Sequence, residues 1–136
     1  MLGEADAILH AGDFVSLAVY EQLAELAPVH GVAGNMDETA LKAVLPERRV
    51  VRLEGVRIGM VHDAGPGLGR AERLVEAFPG CAAVVYGHTH VPDARQLGDT
   101  WILNPGSPTE RRSAPHRAML GLGIDQGELD VRTYVL

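Results

Sequence analysis

The chain has 136 residues and a mass of 14.5 kDa, 46% of it hydrophobic and 22% charged, which suits one globular domain with its own core and excludes disordered or fibrous chains. Eighteen acids against twelve bases leave a formal charge of −6, and Lys42 is the sole lysine, so a nucleic-acid clamp, which needs a basic face, is not expected. The single cysteine, Cys81, cannot form an internal disulfide, no basic-then-apolar leader is visible, and every apolar run falls far short of the roughly 20 residues of a membrane span. A soluble, reduced, cytoplasmic protein is expected.

Along the first two thirds, apolar runs alternate with amphipathic stretches, the pattern of strands feeding helices in an α/β sheet. Ala7-Ile8-Leu9 reads as a strand closed by His10-Ala11-Gly12-Asp13. Leu17, Tyr20, Leu23, Ala24 and Ala27 recur at spacings of three and four, a helix stopped by Pro28. A second strand over 29–33 ends in Gly34-Asn35-Met36-Asp37, and 38–45 has helical spacing up to Pro46. The runs 50–53 and 56–61 flank Glu54-Gly55 as a β-hairpin whose second arm ends at His62. After a glycine-rich turn over 65–69, a helix is expected over 70–78, then a continuous apolar strand over 81–86, buried on both faces and running into Gly87-His88-Thr89-His90. The last third reads as antiparallel pairs, 95–97 with 101–103 and 117–124 with 129–135. No linker or repeat interrupts the chain, so 1–136 is expected to be a single domain.

Four of these strands end in residues able to hold a metal ion: Asp13, Asn35, His62, and His88 with His90. The C-terminal strand ends of an open α/β sheet form its ligand crevice, so residues distant in sequence can meet there. Gly12, Gly34 and Gly87 would let the backbone turn sharply at three of these ends. Imidazoles with one carboxylate and one amide oxygen suit Mn, Fe, Ni or Zn better than Ca or Mg. Each residue also has an ordinary role open to it. Asp13 or Asn35 can cap a helix, and a lone His62 can be a hydrogen-bonded core histidine; it is their recurrence at consecutive strand ends that favours a metal site.

Gly12-Asp13, Gly34-Asn35-Met36-Asp37, Val61-His62, Gly87-His88-Thr89-His90 and Asn104-Pro105-Gly106-Ser107-Pro108 together resemble, in order and approximate spacing, the calcineurin-like metallophosphoesterases, and within them the small YfcE-like phosphodiesterase branch. The resemblance implies an α/β fold of four layers, α/β/β/α, with a dinuclear metal centre, most often Mn, at the strand ends. Carried over, Asp13 would bridge two metals, Asn35, His62 and His88 would complete the second site, and His90 would belong to the first; these five are both the candidate ligands and the candidate catalytic residues. The implied reaction is hydrolysis of a small phosphodiester by a metal-bridging hydroxide, with both ions stabilising charge on the phosphate oxygens. Acid-assisted relatives carry histidine after the motif asparagine, where this chain has Met36, which has no proton to give. That departure favours phosphodiesters over alkyl monoesters.

The family's opening strand ends in Asp-x-His, and this sequence contains no such motif. The first strand is therefore expected to be missing, the chain N-terminally truncated, its first metal site incomplete and its activity impaired. The alternative function class is a weak or inactive protein-interaction scaffold, as in one retromer coat subunit of this fold. An uncovered strand edge would seek a partner in either case, so a homo-oligomer is compatible with both. Among the remaining residues, His10 could orient a ligand or be structural, while His30 and His116 read as structural or exposed. Cys81 reads as a core residue, Asn104 and Ser107 as turn formers in an Asn-Pro-Gly-Ser that also resembles the family's loop near the metal centre, and Arg111 and Arg112 as a solvated pair able to steer phosphate.

Overall fold

The computed structural model describes residues 6–12, 17–34, 39, 45–89, 93–105, 118–125 and 127–135. In chain order the elements are β1 (Ile8–His10), α1 (Leu17–Leu26), β2 (Val29–Gly31), β3 (Arg48–Leu53), β4 (Val56–Val61), α2 (Arg70–Ala77), β5 (Ala83–Tyr86), β6 (Asp93–Leu97), β7 (Thr100–Asn104), β8 (Ala118–Asp125) and β9 (Glu128–Val135). The expected helix over 38–45 falls mostly outside the described residues, of which Thr39 is helical and Leu45 lies in a bend.

Five strands form one mixed sheet in the order β3-β4-β5-β7-β6. The hairpin β3–β4 is antiparallel, β4–β5 and β5–β7 are parallel, and β6–β7 is antiparallel. The expected pairing of 95–97 with 101–103 is present, but its second strand has a further partner: β7 lies inside the sheet against β5 and leaves β6 at the edge. Composition explains the order, since β7 carries Ile102, Leu103 and Asn104 at 0–1% exposure whereas four of the five residues of β6 are exposed.

Alternation along the central strands separates two cores. Val56, Ile58 and Met60 of β4, Ala83 and Val85 of β5 and Leu103 of β7 face one side, where Leu9 of β1 and Leu120, Leu122, Ile124, Leu129 and Val131 of β8 and β9 cover them. Val84, Tyr86 and Ile102 face the other, against Ala71 and Leu74 of α2 and Phe78. Phe78 packs closely on Gly59, where an added Cβ would stand 2.5 Å from its ring. Two further sheets of two strands each, parallel β1–β2 and antiparallel β8–β9, would be marginal alone and are held by packing on the first core. Tyr20 and Leu23 of α1 pack with Val29, Ala33 and Leu45 on the outside of β2. The layers thus run α1, the two small sheets, the five-stranded sheet and α2, in the α/β/β/α order. Among the described residues no helix is long and apolar enough to cross a membrane.

Candidate metal centre

The C-terminal ends of β1, β4 and β5 and the segment following β2 come together. At the end of β4 the His62 side chain is 5% exposed, and its Nδ1 stands 2.6 Å from the Ala11 carbonyl just past β1. A carbonyl oxygen can only accept, so Nδ1 carries a proton; in the neutral ring Nε2 then keeps the lone pair, the tautomer a metal-binding imidazole needs. The backbone of β4 hands on to β5 in the same place, where the Gly87 N–H donates to the His62 carbonyl at 2.9 Å.

The glycines here owe their place mainly to close approach. A Cβ on Gly12, whose φ is +101°, would sit 2.6 Å from His62 Nδ1 and 2.9 Å from the Cα of Gly34. A Cβ on Gly87 would sit 3.0 Å from the Ala11 carbonyl oxygen and 3.4 Å from His62 Nδ1. Sharp turning at Gly87 was the expectation, yet the residue with the left-handed backbone is its neighbour: His88 has φ +70°, a conformation costing a non-glycine residue about 1–3 kcal/mol. The His88 ring meets His62 edge to face, with centroids 5.2 Å apart and planes at 83°.

Of the five candidate ligands, the structure brings His62 and His88 together. Asp13, Asn35 and His90 lie outside the described residues, each next to a described one at the same locus: Gly12, Gly34 and Thr89. Among the described residues no three His, Cys, Asp or Glu side chains assemble. The parts that are described fit a metal: one buried imidazole with a fixed tautomer, a second imidazole against it, and a cradle at Gly12 and Gly87 that any side chain would fill.

His10 turns its Nδ1 to the Gly12 N–H at 3.2 Å, so it acts on the β1 turn rather than on solvent. His30, on β2, is half-buried, and burial together with the Arg49 guanidinium lowers its pKa. Cys81 is buried in the α2 core, where burial raises its thiol pKa against the opposing pull of Arg57. Ser107, Arg111, Arg112 and His116 lie outside the described residues. Asn104, expected to be a turn former, is instead a fully buried end residue of β7 whose Nδ2 donates to Thr89 Oγ1 at 3.0 Å and to the Gly87 carbonyl at 3.4 Å.

The rim beside the site rests on arginines that sequence reasoning passed over. Arg73 donates to the carbonyls of Ala64 at 3.0 Å, Leu68 at 2.7 Å, and Pro66, wrapping the loop that follows His62 around one guanidinium. Arg70 donates twice to the Gly65 carbonyl, at 2.9 and 3.3 Å, while its guanidinium lies 5.1 Å over the Tyr86 ring. Tyr86 in turn donates to Asp93 at 2.8 Å, and Asp93 pairs with Arg95 at 3.2 Å. Burial, followed by the Asp93 carboxylate, raises the Tyr86 pKa. Arginines at the first and fourth positions of a helix entered from a glycine-rich loop were the available signal, since both can reach back to loop carbonyls.

Residues 1–127 match the family model of the calcineurin-like phosphoesterase superfamily domain. A "probable metallophosphoesterase" of Methanothermobacter thermautotrophicus is 37% identical over 129 residues, 93% of this chain and 74% of that one. Among solved structures, a predicted phosphoesterase from Streptococcus pneumoniae TIGR4 superposes with a TM-score of 0.78 at 29% identity, over 98% of this chain and 76% of that one. Two more distant structures share the fold. Zinc-complexed Vps29 of Entamoeba histolytica is 23% identical with a TM-score of 0.76, covering 98% of this chain and 83% of that one. An archaeal phosphodiesterase is 23% identical with a TM-score of 0.74, covering 97% and 84%.

Proposed function

Because the chain belongs to the calcineurin-like phosphoesterase superfamily, we propose that it is a metal-dependent phosphoesterase acting on small phosphodiesters, with Asp13, Asn35, His62, His88 and His90 as its ligand set. The observation that carries this reading is the buried His62, whose Nδ1 is committed to the Ala11 carbonyl at 2.6 Å and whose Nε2 is thereby kept as a lone-pair donor beside His88. Divalent cations, when bound, supply Lewis-acid neutralisation of the charge that builds on phosphate oxygens and make water more acidic; Mn is the first choice, with Fe, Ni and Zn suited to the same donors, and two ions the family expectation.

The remaining work falls to the chain itself. Ala11 holds the His62 ring in one tautomer and orientation, and Gly12 and Gly87 keep side chains out of the space next to it. Met36, in the place where acid-assisted relatives carry histidine, donates no proton to a leaving group. Phosphodiesters with stabilised leaving groups are the substrates that need that proton least. The buried Cys81, with its thiol pKa raised by burial, suits the reducing cytoplasm. A protein-interaction role has fold likeness alone behind it.

The test is hydrolysis of bis(p-nitrophenyl) phosphate against p-nitrophenyl phosphate, with Mn, Fe, Ni or Zn supplied and the metal content per chain measured. Diester turnover that needs metal and is abolished in His62→Ala and His88→Ala is expected. Failure to retain any of the four metals, with no turnover of either substrate, would refute the reading.

A further inference from the structure

Among the described residues of the site, His88 is the non-glycine residue with a positive φ. With φ at +70° and the Thr89 N–H donating to the Gly87 carbonyl at 2.9 Å, it is the centre of a three-residue γ-turn of the rare positive-φ kind. Such a turn persists only when its surroundings over-determine it. Gly87 has no side chain with which to do so.

One restraint comes from β7. Asn104 is fully buried, and its one NH2 group reaches both sides of the turn: Thr89 Oγ1 at 3.0 Å and the Gly87 carbonyl at 3.4 Å. A carboxamide has two amide protons, so both bonds can be made at once. Buried at no exposure, the group has no bulk water to fall back on, so giving up these bonds is costly. Only an amide at this place can donate twice; a carboxylate has the same shape and no proton.

We propose that Asn104 is a positioning residue of the metal centre: it ties the residues on either side of His88, holds the positive-φ turn, and thereby aims the His88 imidazole at His62 and sets metal affinity. The inference rests on the metal-centre reading above, so its test includes a measurement made without metal. Tyr86 and Asp93 bridge the flanks of the same segment at 2.8 Å and provide a control, since their bond lies outside the turn.

The experiment compares the full chain with Asn104→Asp, Asn104→Leu, Thr89→Ala and Tyr86→Phe. In the metal-free proteins, imidazole 15N and 1H resonances of His62 and His88 are assigned with His62→Gln and His88→Gln. Zinc affinity is then measured by chelator competition. Asn104→Asp is expected to shift the His88 ring resonances while leaving the His62 Nδ1–H in place, and to weaken zinc binding about 10- to 100-fold, the usual effect of losing an outer partner of a ligand. Thr89→Ala, which removes one of the two bonds, should weaken binding less and in the same direction. Tyr86→Phe should lower stability without moving His88. Unshifted His88 resonances in folded Asn104→Asp, or zinc affinity within about twofold of the unaltered chain, would overturn the proposal. Should Asn104→Leu not fold, Asn104→Asp and Thr89→Ala decide. An unaltered chain that binds no zinc would instead refute the metal-centre reading, with the His88 shift still judging the hold of Asn104 on the turn.

Discussion

Replacing Gly12 by alanine probes the convergence of the strand ends directly. At φ +101° an L-residue is strained by about 1–3 kcal/mol. The new Cβ would also stand 2.6 Å from His62 Nδ1 and 2.9 Å from the Gly34 Cα. Gly34 is backbone and cannot swing aside, and His62 can retreat only by giving up the Ala11 carbonyl, so overpacking adds about 1–3 kcal/mol. A loss of about 3–4 kcal/mol is expected, near the middle of the summed ranges. Gly55→Ala supplies the reference: its φ of +78° carries strain of about 1–2 kcal/mol, and nothing lies within 4 Å of its Cβ. Urea unfolding of the two variants, compared at unchanged slope, isolates the steric part. If Gly12→Ala costs no more than Gly55→Ala, the ends of β1 and β4 do not meet as described.

Three further substitutions follow from the packing and titration. Tyr86→Phe removes a bond to a carboxylate and should cost about 1.5 kcal/mol, the low end for such bonds because Asp93 is partly exposed. The same variant should flatten the alkaline limb of the stability curve. With the folded Tyr86 pKa raised, the unfolded chain ionises first, so the unaltered protein loses stability as pH rises above about 10, until Tyr86 ionises in the folded state too. His30→Gln should flatten the acid side. The folded His30 pKa is lowered, so stability is full above about 6.5 and lost as pH falls, because the unfolded chain takes up the proton first. Gly59→Ala drives a Cβ into the Phe78 ring and should lower the urea midpoint by an amount equivalent to about 1–3 kcal/mol.

Local signals carried most of the architecture. Glycine and proline punctuation, the two-residue turn at Glu54-Gly55 and the unbroken apolar run before Tyr86 located the elements within a few residues of where they lie. The meeting of His62 and His88 was legible because both follow buried strands that end side by side. Sheet order was not: the parallel partner of β7 is β5, a pairing set by which strand is apolar enough for the interior, while the turn at Gly98-Asp99 fixes only its link to β6. Asn104 was legible only in part, as a member of a turn-forming motif that resembles the family's loop near the metal centre. Asn-Pro-Gly-Ser is good turn chemistry, and nothing local reveals that the asparagine side chain points inward to another loop. The positive φ of His88 has only a faint sequence mark, since histidine is enriched among the few non-glycine residues found there but adopts it in a small minority of cases.

The bond from His62 to Ala11 joins positions 51 residues apart and ties the small β1–β2 sheet to the end of β4. Contacts of such separation form only after the entropy of closing a long loop has been met. The centre is therefore expected to complete late in folding, with His62 showing low φ-values against higher ones in the β3–β4 hairpin, whose turn is two residues long. A cation that binds only the docked arrangement would slow unfolding far more than it speeds folding. The histidines would then serve as a latch on the finished molecule, closed after the sheets have already met.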